Sequence, residues 1–286
     1  MAKEKHSHPA SVRARVEFRP GDRLTDRDPA DISLAPGDHL ATAFAEKVLL
    51  AELAVWQERL YAEGLGGGRR ALLLLLQGMD TSGKDSTIRR VVGGVNPAGV
   101  RITSFKKPTV EELAHDFLWR VERQLPAPGG FDVFNRSHYE DVLVVRVHNL
   151  VPAAEWTRRY GLINEFEQRV VDSGCHIVKV MLHISKAEQR RRLGERLNDP
   201  VKQWKYSPAD LAERAMWDEY QLAYQAALTT CSTDAAPWYV VPADHKWSRD
   251  WIIANLLVDA MRDMQPQYPP PNYDVAEQKR LLAASD

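Results

Sequence analysis

An α/β fold is what this sequence predicts: a three-layer αβα sandwich around a mostly parallel five-stranded sheet, with a helical lid. Three observations carry the prediction. Short apolar runs alternate with segments of helical periodicity along most of the chain. The first run, Leu72 to Leu76, is continuous rather than alternating, as in a strand buried on both faces of a parallel sheet. Directly after it, Gly78, four residues, Gly83 and Lys84 stand at the G-x-x-x-x-G-K spacing of a P-loop and open a polar helix. In such doubly wound sheets, ligands bind at the carboxyl ends of the strands.

Residues 1–38 are polar, rich in Pro, Asp and Arg and without periodicity, which predicts an N-terminal arm that is partly disordered or packed on the domain surface. The domain proper spans 39–286. From His39 to Glu63, Leu40, Phe44, Val48, Ala51 and Val55 recur at helical spacing and predict a core-facing stripe, ended by Gly64 to Gly68. The P-loop helix should fade near Gly93 and Gly94. Val100 to Phe105 alternates like a strand and ends in Lys106 and Lys107, and Thr109 with Glu112 forms a capping box opening a helix to about Leu125. Phe131 to Phe134 is a third strand, followed by Asn135 to Asp141 and an apolar helix through Val147.

A helix from about Glu155 to Ser173 leads to a fourth strand, His176 to Ile184. Ser185 and Glu188 read as a second capping box, opening a helix that carries Arg190, Arg191, Arg192 and Arg196 and breaks at Asn198-Asp199-Pro200. The basic and aromatic loop VKQWKYSP and a long helix from Ser207 to about Leu228 complete a lid over about 186–230. Trp238 to Val241 supplies the fifth strand, and Trp251 to Met264 a last helix before a Pro-rich tail. There are no internal repeats.

The length of 286 residues and 44% hydrophobic content allow one large domain or two small ones with a substantial core. The net charge of −1 gives no whole-chain signal for nucleic acid or membrane, and one short basic and aromatic segment is weak footing for nucleic-acid binding. Cys175 and Cys231 are too few for a disulfide framework and not spaced as a metal site, which suits a reducing compartment. No apolar run approaches the ~18 to 20 residues of a membrane span, and the N-terminus lacks the apolar core of a signal peptide. The expected location is the cytoplasm.

P-loop amides, a helix N-terminus and a lysine together make a phosphate site. In a P-loop kinase, phosphoryl transfer asks mainly for positioning and counter-charge. The usual hydroxyl after Lys84 is replaced by Asp85, while Asp80 sits inside the loop, where an acid beside phosphates suits metal binding or orientation of an acceptor. Arg136, at a strand end, can bridge two phosphates with its fork. Glu140 and Asp141, further along, could hold metal or an acceptor nucleotide, or simply favour the following helix start. His138 has no ligand spacing around it. Consecutive arginines cannot all face one site, so Arg196 and Lys202 are the lid cations expected there, with Lys205 beside them.

Four ordered motifs, GMDTSGKDSTI, FNRSHYEDVLV, RLNDPVKQWKYSPADLAER and APWYVVPADHKW, resemble the family 2 polyphosphate kinases across most of the chain. The resemblance implies that Asp80 and Lys84 serve the Walker A site, with Gly78, Gly83, Asp85 and Ser86 around the phosphates. It also implies that Lys106 and Arg136 contact phosphate, that Arg196 reaches in from the lid, and that Lys202 and Lys205 extend a basic groove. Catalytic roles then fall to Asp80, Lys84, Arg136 and Arg196. Magnesium, with manganese as a substitute, is required in the family. Many members carry Asp at the place of Asn135, so metal binding here leans on Asp80 with Asp141 or Glu140 as helper. Glu140 stands where nucleoside-diphosphate-specific members tend to have Asn, as in the class III subgroup that phosphorylates AMP and ADP. The expected partners are therefore inorganic polyphosphate, AMP, ADP and ATP, with the chain as a homo-oligomer, dimer or tetramer. Two rival expectations share the same features: an ATP-dependent nucleotide or small-metabolite kinase, and a polyphosphate-binding protein without activity.

Overall fold

The structure, a computed structural model, describes residues 11–285; the first ten residues of the expected arm lie outside the described residues. In chain order the elements are α1 (Val12–Val16), α2 (His39–Leu65), β1 (Ala71–Gln77), α3 (Lys84–Val92), β2 (Val100–Ser104), α4 (Val110–Leu113), α5 (Trp119–Glu122), β3 (Phe131–Asn135) and α6 (Val144–Val147). They continue with α7 (Ala153–Asp172), β4 (Cys175–His183), α8 (Lys186–Asn198), α9 (Ala209–Ala215), α10 (Trp217–Cys231), β5 (Trp238–Pro242), α11 (Lys246–Met264) and α12 (Val275–Ala283).

The five strands pair in the order β2-β3-β1-β4-β5, every pairing parallel. All seven residues of β1 are buried, as its unbroken apolar run requires. Because β1 is central while β2 lies beyond β3, successive connections leave β1 in opposite directions. The crevice at its carboxyl end is the switch point where such sheets bind ligands. No helix among the described residues is long and apolar enough to cross a membrane.

Residues 11–38 pack on the domain: Val16, Phe18 and Leu24 are buried, the Phe18 amide donates to the Trp238 carbonyl at 2.8 Å, and Glu17 bridges Tyr239 antiparallel to β5. The expected stripe on α2 is a correction. Leu40, Phe44, Val48 and Val55 are exposed, and the buried face carries Thr42, Glu46, Leu53, Gln57 and Leu60. Periodicity found an apolar face, but the helix turns its polar face inward because that face is partnered. Glu46 pairs with Arg90 at 2.7 Å, and the Gln57 side chain accepts from the Asn96 amide at 2.9 Å.

The helix expected from Thr109 to Leu125 is two short turns, α4 and α5, although its capping box is fully formed. The second box is half formed. Ser185 caps Glu188, but the Glu188 carboxylate is drawn to Arg191 and Arg192, bonds that hold it down to about 2. The Ser185 amide bonds Asp244 instead. The long lid helix breaks at Met216 into α9 and α10, α11 starts one turn and more before Trp251, and the tail carries α12, none of which the sequence reading anticipated.

Candidate active site

At the carboxyl end of β1 the chain enters the loop 78–83, in which Gly78 (φ 148°) and Gly83 (φ 111°) take backbone conformations that side chains resist. A side chain at Gly83 would also collide with the Arg249 guanidinium. Lys84 begins α3 and turns back beneath the loop, its Nζ donating to the Gly78 carbonyl at 2.7 Å and the Met79 carbonyl at 3.3 Å. Burial, reinforced by the nearby Arg136 charge, lowers its pKa to about 8.

From the neighbouring strand, β3 delivers Asn135 and Arg136 to the same edge. Arg136 holds φ 63°, a left-handed conformation that costs a non-glycine residue about 1–3 kcal/mol and that the sharp exit from β3 imposes. Its amide donates to the Leu76 carbonyl, and its fork reaches Asp80 at 2.7 Å and Glu140 at 3.0 Å. The Glu140 carboxylate, with burial opposing, raises the arginine's pKa further. Glu140 also accepts from Gln77 at 3.0 Å, so this acid is held between β1 and β3.

Around these groups lies a cleft of about 1120 Å³. Its phosphate-loop wall carries Gly78, Asp80, Asp85, Asn135, Arg136 and Glu140. Across from it stand Lys106, Lys107, Arg120, Asp141 and Arg159, and an apolar wall is made by Leu143, Val144, Val145, Leu150 and Val151. Tyr224 lines the cleft from the α10 side, and burial pushes its hydroxyl pKa up.

The structure thus brings Asp80, Asp85, Lys106, Arg136, Glu140 and Asp141 to one cleft, with Lys84 buried beneath its loop on the Gly78 carbonyl. It distributes the rest differently. Ser86 turns inward, donating to the Gly83 carbonyl and accepting from Arg249, and Asp85 accepts from Asn135 at 2.7 Å. Asp141 is held by Arg159 at 3.1 Å and Arg120 at 3.5 Å, and burial raises its pKa. Arg196 is engaged by Asp210 at 3.2 Å and the Lys205 carbonyl. Lys202 pairs with Asp199, and Lys205 lies over the exposed Trp204 ring. Those two lysines stand outside the cleft lining because the turn after α8 folds back on itself through Asp199.

Among the described residues no group of three or more His, Cys, Asp or Glu side chains comes together around a metal position. Magnesium asks for less, since it keeps water and is held by one or two carboxylates together with substrate phosphates. Asp80, part-exposed on the cleft and bonded through one oxygen, fits that demand.

A family model, polyphosphate kinase 2 (PPK2), matches residues 41–269. The chain belongs to this family. It is accordingly a polyphosphate kinase, a phosphotransferase. A relative from Meiothermus ruber, named AMP/ADP-polyphosphate phosphotransferase, is 52% identical over 255 residues, covering 89% of this chain and 93% of that protein. An ADP-polyphosphate phosphotransferase from Rhodopseudomonas palustris is 44% identical, covering 79% of this chain and 80% of its own length. The crystal structure of polyphosphate kinase 2 from Arthrobacter aurescens superposes with a TM-score of 0.94 at 47% identity, over 96% of this chain and 98% of that one. The α/β P-loop kinase fold is therefore that of the polyphosphate kinases.

Sequence reasoning passed over several residues of this site. Arg120 and Arg159 come from helices flanking β3 and carry no motif signal. Arg192, buried, donates to the Thr81 and Ser82 carbonyls, whereas the sequence reading chose Arg196 from the same helix. Helical phase held the clue: Arg192 lies one turn from Glu188 and on the same face as the buried Gln189 and Leu193.

Proposed function

We propose that this enzyme moves the terminal phosphate of inorganic polyphosphate to AMP and to ADP, giving ADP and ATP. One observation carries the reading: a single cleft joins an anion-binding loop, a bridging arginine and an apolar wall, and is large enough for a phosphate chain and a nucleotide together. The name of the Meiothermus ruber relative supports both acceptors.

The roles follow from the geometry. The phosphate chain lies on the loop, with Lys84 leaving its loop carbonyls to meet a phosphate oxygen. Arg136 exchanges its bonds with Asp80 and Glu140 for bonds to the transferring group and its neighbour, where a guanidinium fork matches two oxygens. An oxygen of the acceptor's terminal phosphate attacks the last phosphorus of the chain, and the bond from that phosphorus to its bridging oxygen breaks. The shortened chain leaves with that oxygen and its electrons. The attacking phosphate oxygen is already anionic, so catalysis needs positioning and charge neutralisation more than a base. Magnesium or manganese, when bound, supplies further counter-charge, and Asp80 is the residue to hold it. Asp141 is assigned instead to orienting Arg120 and Arg159. Glu140, fixed by Gln77 and Arg136, is assigned to the acceptor side and to the choice between AMP and ADP.

Self-association belongs to the same reading, with the exposed α2 stripe as the surface that favours it. So does a cytoplasmic location, which suits the two buried free cysteines, both pushed up to about 12 by burial.

The test is an assay without ATP: protein, magnesium, polyphosphate and AMP, with ADP and then ATP followed by chromatography. Both products are expected in that order. Turnover with ATP and another acceptor, and none with polyphosphate, would overturn the reading.

A further inference from the structure

Every carbonyl of the loop 78–83 is occupied from below. Lys84 takes those of Gly78 and Met79, and Gln189 takes that of Asp80 at 3.1 Å. Arg192 takes Thr81 at 2.9 Å and Ser82 at 3.0 Å, Arg249 takes Ser82 again at 3.1 Å, and Ser86 takes Gly83 at 2.8 Å. The amides behave differently. That of Ser82 closes a turn onto Met79, while those of Met79, Asp80, Thr81 and Gly83 have no protein acceptor among the described residues. A peptide unit whose oxygen is pulled one way points its N–H the other, so pinning the carbonyls beneath the loop aims its amides into the cleft.

Two of the pins are buried guanidiniums anchored on opposite sides. Arg192, on α8, is tied to Glu188 at 2.7 Å and to the Ala243 and Asp244 carbonyls that follow β5. Arg249, on α11 and fully buried, is tied to Asp250 at 2.8 Å, which also accepts from Thr87 of the P-loop helix. Their forks converge on one atom, the Ser82 oxygen, and Arg249 continues to Ser86 at 3.1 Å. A single carbonyl held by two cations from two helices has little freedom to rotate, and the two positive charges sit behind the surface where phosphate arrives.

We propose that Arg192 and Arg249 are positioning residues for the transfer, clamping the Ser82 peptide so that the loop amides face the phosphate chain before it binds. Neither touches the chain. Their effect passes through the loop, so it falls on polyphosphate and leaves the nucleotide subsite alone. The inference rests on polyphosphate being the occupant of the loop.

Arg192→Lys and Arg249→Lys test it, since each keeps the charge and loses the fork. Urea unfolding confirms that each variant is folded. Titration calorimetry then measures polyphosphate binding without nucleotide, and kinetics give both KM values. The expected result is a rise of about tenfold or more in the KM and Kd for polyphosphate, with the KM for AMP within about twofold. Should Arg249→Lys fail to fold, Gln189→Leu, which frees the Asp80 carbonyl, carries the test and should raise the KM for polyphosphate alone. If wild-type protein does not bind polyphosphate, the functional reading falls and this inference with it. If wild type binds it and the folded variants bind it equally well, only the clamp is refuted. A rise in the KM for AMP with polyphosphate binding unchanged refutes the clamp as well.

Discussion

Lys84 is where sequence and chemistry meet most directly at the scale of one residue. It stands buried against two carbonyls and near Arg136, with its pKa lowered to about 8, so in the free enzyme it loses its charge as pH rises through that value. The kcat/KM for polyphosphate, which reports free-enzyme groups, should fall about tenfold per pH unit above pH 8. Bound phosphate favours the charged lysine, so the corresponding limb in kcat should lie at higher pH. A kcat/KM profile flat from pH 7 to 9 would contradict this role, and Lys84→Arg should abolish the limb. Glu140 makes a second residue-scale prediction. Glu140→Asn should lower AMP use more than ADP use, because it frees Arg136 and Gln77 together, and equal losses in the two kcat/KM values would refute the specificity role. The loop motif, Asp80 and Arg136 were legible in sequence because each directly follows the end of a strand, β1 for the loop and β3 for Arg136. Arg120, Arg159 and Arg249 were not, since each reaches the site from a separate helix and only tertiary packing brings them there, while for Arg192 the phase of α8 was the one clue.

At the scale of elements, the segment that carries Arg136 and Glu140 is fastened to the sheet by a buried polar network. Lys179 of β4, with no solvent exposure, bonds Glu167 of α7 at 2.5 Å, the Tyr139 hydroxyl at 2.9 Å and the Cys231 carbonyl at 2.6 Å. Glu167 in turn meets His138 at 3.2 Å and Tyr139 at 3.0 Å, so His138 is part of the support beneath the site. Removing one member strands an unpaired charge in the core, so Lys179→Met should destabilise by about 3–5 kcal/mol in urea unfolding. The double variant Lys179→Met with Glu167→Leu should recover part of that loss; an additive result would show that the two residues act separately. Strands and the main helices could be read from periodicity, because burial on a parallel sheet leaves continuous apolar runs. The breaks at Met216 and around residue 114 could not, since no Gly or Pro marks them. The orientation of α2 was misread because its inward face is polar and satisfied by Arg90 and Asn96.

For the whole molecule, the all-parallel sheet gathers the loop after β1, Arg136 after β3 and Lys106 after β2 at one edge, and residues of α9 and α10 line the same cleft. The exposed apolar stripe of α2 is proposed as a self-association surface, so Phe44→Asp should shift the protein toward a smaller species in light scattering while leaving the fold intact; an unchanged mass would refute that assignment. The central claim is that the P-loop cradles the phosphate donor and that the nucleotide is the acceptor beside it. A crystal structure with magnesium, AMP and a non-transferable polyphosphate analogue tests it most directly. The phosphate chain should lie against the amides of Met79, Asp80, Thr81 and Gly83, with Arg136 bridging to AMP on the Glu140 side. AMP seated on the P-loop, with the polyphosphate elsewhere, would contradict it.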